Sequence, residues 1–117
     1  MINLKKQTIN TLRELRDSYR GQETQSTEDS IVNPSKETIA LHDFVNSLDQ
    51  QEFIELAAVL WLGRGDFADF SSAKAYGEGE ATSTDGLRPN YVIGKLISND
   101  YLDAGIKKLA DEGIELS

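Results

Sequence analysis

The 117-residue sequence predicts an all-α fold of about six helices packed around one buried helix at residues 50–62. Three observations predict it. Residues 53–62, from Phe53 to Leu62, are apolar at nine of ten positions, the exception being Glu55. A helix apolar around most of its circumference has to be covered on several sides. The remaining segments repeat their apolar residues at three- and four-residue spacing, which gathers them on one helix face. No run shows the strict alternation that a half-buried strand needs.

Residues 2–20 read as the first helix, because Ile2, Leu4, Ile9, Leu12, Leu15 and Tyr19 share one arc. Lys5 and Arg16 fall in that arc, and their stems can cover apolar surface. Gly21 is the expected stop. Residues 21–35 are polar and read as a linker, leaving a helical body at 36–117. One domain, 1–117, is expected, since a second core would be too small to stand alone.

The second helix is expected at 36–47, with Ser35 as its cap and Leu41, Phe44, Val45 and Leu48 on its inner face. The third has the sharpest start signal. Asp49 can cap it, Glu52 completes a capping box, and Leu48 and Phe53 hold the hydrophobic-staple positions. Helices two and three should therefore form a tight hairpin. Gln51, Glu52 and Glu55 make one narrow polar strip, expected to face water. Gly63 is the expected left-handed stop, and Asp66 the cap of a helix at 67–77 lined by Phe67, Phe70, Ala73 and Tyr76. Residues 77–88 read as a polar loop. Pro89 suits the first turn of a fifth helix at 89–97, with Tyr91, Val92 and Leu96 inward. A sixth begins after Ser98 or Asn99 and ends at Gly113.

Charge is unevenly spread. The net charge is −8, yet residues 1–20 hold five bases and two acids, net +3, leaving −11 for the rest. So acidic a body repels phosphates, and nucleic acid is not an expected partner. The basic segment can dock onto the acidic body of its own chain or of a neighbour. A protein partner, or a homodimer formed through residues 2–20, is the expectation.

The absence of cysteine excludes disulfides, thiol nucleophiles and Cys-ligated zinc. His42 is the single histidine, so no Ser-His-Asp arrangement is identifiable. The carboxylate pairs Glu52/Glu55 and Asp100/Asp103 lack the Glu-x-x-His segments of a carboxylate-bridged metal site. No catalytic residue, metal or cofactor is expected. The apolar stretch falls short of the ~20 residues that span a bilayer. The first residues lack the apolar run of a signal peptide, and a cytoplasmic setting is expected.

Polar residues sit beside the core only at Gly63-Arg64-Gly65-Asp66. A helix start, glycine backbone and a guanidinium can together hold a carboxylate or phosphate. Arg64 and Asp66 are therefore candidate ligand-binding residues, with Trp61 and Tyr91 as candidates to line a pocket. Folding alone also explains the turn, with Gly63 terminating, Asp66 capping and Arg64 pairing to a nearby carboxylate.

The segment Glu55-Leu56-Ala57-Ala58-Val59-Leu60-Trp61-Leu62-Gly63-Arg64-Gly65-Asp66 resembles an uncharacterised bacterial domain-of-unknown-function family. That family carries an E-L-x-A-L-x-W-x-G-R-G-D segment and a later Y-L-x-G…Y-L-x-x-G-L segment. Tyr91-Val92-Ile93-Gly94 and Tyr101-Leu102-Asp103-Ala104-Gly105-Ile106 echo the second, so the resemblance covers roughly residues 42–113. It implies a small soluble bacterial protein and brings no activity. The sequence thus reads as a non-enzymatic protein-interaction module. The alternative is a small-anion or metabolite binder, or an enzyme, using the Gly63–Asp66 turn.

Overall fold

The computed structural model of the chain describes residues 2–22, 36–84 and 86–117, with backbone alone at 21 and 22. Among these residues there are six helices and no strand: α1 (Lys6–Gln22), α2 (Lys36–Ser47), α3 (Gln50–Arg64), α4 (Phe70–Ala81), α5 (Pro89–Ser98) and α6 (Tyr101–Asp111). The fold is all-α, and α3 is its centre. Every residue from Ile54 to Leu62 is buried, and α4 and α6 pack along its length.

The start of α3 follows the capping chemistry of its sequence. The Asp49 carboxylate accepts the Glu52 N–H at 2.8 Å. The second half of the capping box does not form. Glu52 turns away from the cap and accepts from Lys5 Nζ at 3.0 Å and Thr8 Oγ1 at 2.8 Å. Of the strip expected to face water, Gln51 is exposed, but Glu52 and Glu55 are buried, at 4% and 0% exposure.

The segment that covers it is not helical. Ile2–Lys5 precede α1 and run beside the last residues of the chain. Ile2 N–H donates to the Glu115 carbonyl at 3.1 Å, Ser117 N–H to Leu4 at 2.9 Å, and Lys6 N–H to Ser117 at 2.9 Å. Held this way, the Asn3 N–H donates to both Glu55 carboxylate oxygens, at 2.9 and 3.0 Å. Reading 2–20 as one helix misses this because Ile2 and Leu4 fit the helical arc too. At its other end α1 continues through Gly21 to Gln22. The rest of the expected linker, 23–35, with the Ser35 cap, lies outside the described residues.

The basic segment docks onto the acidic body of its own chain. Ile9 and Leu12 are buried, and Arg16 is buried with them. Arg13 Nε reaches Asp103 at 2.7 Å and Arg16 Nη1 reaches it at 3.1 Å. Arg20 donates to Asp100 at 3.1 Å and to the carbonyls of Asn99 and Ile97. Burial pushes the Asp103 carboxyl up, but the Arg13 hydrogen bond and the Arg16 charge together outweigh it and hold the group below its ordinary value. A depressed carboxyl contributes stability that is complete above the unfolded value, about 3.9, and lost as pH falls through the folded one. The thermal midpoints of the native chain and Asp103→Asn should therefore differ at pH 7 and converge below about pH 4. The difference is expected to be modest, ~1 kcal/mol, because Asp103 is partly exposed.

Gly63 is not the stop of α3. It lies inside the helix under α6, and Gly65, at φ 91°, is the left-handed residue. Gly65 N–H donates to Leu62 and Asp66 N–H to Trp61, both at 3.1 Å, a Schellman closure. Asp66 does not cap the next helix either. Asp69 does, accepting the Ser72 N–H at 2.7 Å. The delay has a packing cause: Gly63 and Gly105 let α3 and α6 meet backbone to backbone, so α3 runs on before it turns. A Cβ on Gly63 would stand 2.7 Å from Gly105 N, and one on Gly105 would stand 2.7 Å from Val59 Cγ1.

The expected loop at 77–88 is corrected as well. α4 runs through Gly77 and Gly79 to Ala81. Gly77 is buried against α3, where a Cβ would press on Ile54 and Trp61 at 3.2 and 3.3 Å. Close packing on α3 here overrides the poor helix propensity of glycine. α6 ends at Gly113 as expected, with a second Schellman closure through Ile114 N–H to Leu109 at 3.0 Å. That turn sends the tail back to residues 2–6.

Candidate functional site

The four candidate residues separate into two places. Arg64 and Asp66 lie at the exposed C-terminal end of α3, paired with each other at 3.8 Å. A cation in the last turn suits the helix dipole, which gives Arg64 a structural role. The helix start expected beside them belongs to Phe70, and two of its first amides are taken. Phe70 N–H donates to Glu112 at 3.1 Å and Ser72 N–H to Asp69. Two carboxylates of the chain itself occupy that end of α4.

Trp61 and Tyr91 do come together. Trp61 Nε1 donates to the Tyr91 hydroxyl at 3.0 Å, joining α3 to α5. Their rings lie 6.4 Å apart. Tyr76 of α4 meets Trp61 edge-on at 5.1 Å, and Phe67 packs on both at 6.1 and 5.4 Å. Trp61, Tyr76 and Tyr91 border a cleft of about 510 Å³ lined also by Glu80, Leu87 and Arg88. Trp61 is its buried floor, at 4% exposure, while Tyr76 and Tyr91 are 49% and 45% exposed. Tyr91 and Tyr76 were expected to face inward; both stand at the rim. Their phenols explain this, since an aromatic with a polar tip is stable with one end wet.

Glu80 shapes the electrostatics of the cleft. Its charge is the first cause that pushes the Tyr76 phenol above its ordinary value, followed by burial and a hydrogen bond between the two. On the α5 side Lys95 Nζ sits over the Tyr91 ring, 5.4 Å from its centre. Sequence reasoning missed Glu80, Leu87 and Arg88, because glycines 77 and 79 made their segment read as a loop. The recoverable signal was Tyr76 and Glu80, four residues apart and neighbours if the helix continues.

The dimensions suit a bound side chain or small molecule, and the walls combine three aromatic rings and Leu87 with the charged side chains of Glu80 and Arg88. Among the described residues no cluster of three or more acidic or histidine side chains could hold a metal ion. Among them, too, no helix is long and apolar enough to cross a membrane.

The family model described as "Protein of unknown function (DUF3775)" matches residues 38–110. The chain belongs to the DUF3775 family. No curated protein and no solved structure gives a significant match to it. The matched DUF3775 region begins in α2 and ends in α6, so it contains every residue of the aromatic cleft. It also contains both glycines of the α3–α6 crossing and both buried glutamates, while α1 and the tail lie outside it.

Proposed function

We propose that this DUF3775 protein is a non-enzymatic interaction module of the bacterial cytoplasm, with residues 1–117 acting as one domain and the aromatic cleft as its contact surface. One observation carries the reading. Two of the three large hydrophobic side chains exposed among the described residues, Tyr76 and Tyr91, border the same cleft. Exposed aromatics around a buried tryptophan are what protein contact sites are enriched in.

Capture of binding partners from the native cell tests this with two variants of the full chain. Tyr76→Ala, an exposed position, should abolish capture, and Arg64→Ala should leave it intact. Partners retained by Tyr76→Ala would overturn the cleft as contact surface. Loss with Arg64→Ala alone would favour the Gly63–Asp66 turn, and with it the small-anion or metabolite reading. That second reading has less support, since Arg64 is paired with Asp66 and the Phe70 and Ser72 amides of α4 are occupied.

Self-association through residues 2–20 would make the α1 contacts between two copies instead of within one. Light scattering of the full chain over a range of concentration tests it. A constant monomer mass excludes it; a rising mass supports exchange of α1. Nucleic acid stays outside the proposal, because four of the five bases in residues 1–20 are already paired with the chain's own acids.

A further inference from the structure

Resting on the cleft as a contact surface, the geometry points to the group that enters it: we propose an alkylammonium, presented by a lysine side chain of the partner protein. Three features of the cleft favour a cation. Trp61, Tyr76 and Tyr91 supply aromatic rings, whose faces attract positive charge. One such face already draws a cation, the chain's own Lys95 over Tyr91; it lies outside the cleft lining, and its charge opposes a second cation on that ring, leaving the guest Trp61 and Tyr76. Glu80 adds a half-buried carboxylate in the last turn of α4, a turn with no basic residue to offset the negative helix end. The chain as a whole is acidic, at −8, and draws basic segments toward it.

Arg88 also lines the cleft and opposes a cation. It is exposed, whereas Glu80 is half-buried, and the less solvated charge exerts the stronger field. An anionic guest would have to lie beside Glu80. A lysine fits the shape as well as the charge, because its four-carbon stem can pack on the rings while the ammonium reaches the carboxylate.

Trp61 is the only tryptophan of the chain, so its emission reports the cleft alone. The full-length protein is titrated at constant ionic strength with tetramethylammonium, with an end-blocked lysine tripeptide, and with acetate. The first two should change Trp61 emission saturably, and acetate should not. Glu80→Gln should weaken both about tenfold, a loss near 1.4 kcal/mol by the affinity relation. Tyr76→Leu, which keeps an apolar side chain, should weaken both as well, with thermal midpoints confirming that each variant is folded. Saturation by tetramethylammonium without the peptide would overturn the lysine assignment in favour of a free small cation. No saturation with either cation would overturn the proposal. Saturation by acetate alone would also overturn it, while leaving the cleft as a binding surface intact; partner capture unaffected by Tyr76→Ala removes that.

Discussion

Gly63→Ala and Gly105→Ala should each destabilise the protein by about 3 kcal/mol, a large share of the 5–15 kcal/mol that holds a typical domain together. Two effects oppose each other. Alanine in place of a helical glycine gains about 1 kcal/mol of propensity. Against that, the new Cβ at 63 overlaps the Tyr101 carbonyl and lies 2.7 Å from Gly105 N, both backbone atoms. At 105 it overlaps the Val59 carbonyl and lies 2.7 Å from Val59 Cγ1. No side-chain rotation relieves a clash with backbone, so α3 and α6 have to separate along their contact. The double substitution should cost less than the sum, because one separation relieves both clashes. Gly79→Ala is the contrast, since a Cβ there has nothing within 4 Å. It should stabilise α4 by about 0.5–1 kcal/mol. Chemical denaturation of the four variants and the native chain measures the order. A Gly63→Ala variant as stable as the native chain would mean the helices do not approach this closely.

Glu55→Ala is the second large effect, with an expected loss of about 2–4 kcal/mol. The carboxylate is fully buried and accepts the Asn3 N–H through both oxygens. Removing it leaves that donor without a partner and opens a void beside α3. Lys74, 3.9 Å away, is 29% exposed and can turn to water, which keeps the loss below that of a fully buried ion pair. Glu55→Gln retains one acceptor and should lose about half as much. Hydrogen exchange gives the local signature. In Glu55→Ala the amides of Lys6 and Ser117, bonded between the two ends of the chain, should lose protection before those of α3. Equal loss everywhere would indicate that Glu55 supports the core and not the paired segment.

The parts of this fold that local chemistry controls were legible in the sequence. The apolar run at 53–62 gave the central helix, Asp49 its start, Pro89 the start of α5 and Gly113 the end of α6. Positions governed by contact between distant segments were not. Gly63 was the stop expected by sequence, and the close approach of Gly105 keeps it inside α3, which closes at Gly65 instead. Glu52 and Glu55 look like solvent-facing residues until Asn3, Lys5 and Thr8, some fifty residues away, supply their donors. The site divided in the same way. Trp61 and Tyr91 were named and do meet, but Glu80 depends on α4 continuing through Gly77, which packing on α3 makes possible. Arg64 and Asp66 stood out by composition and lie apart from the cleft lining.

The measurement that bears most directly on the cleft as the contact surface is site-specific photo-crosslinking in the native cell. A photoreactive residue replaces Tyr76 in one protein and Ile39, the exposed side chain of α2 that does not line the cleft, in another. A covalent adduct of discrete mass at position 76, with none at 39, is the expected result. No adduct at 76, or the same adduct at both positions, would contradict it.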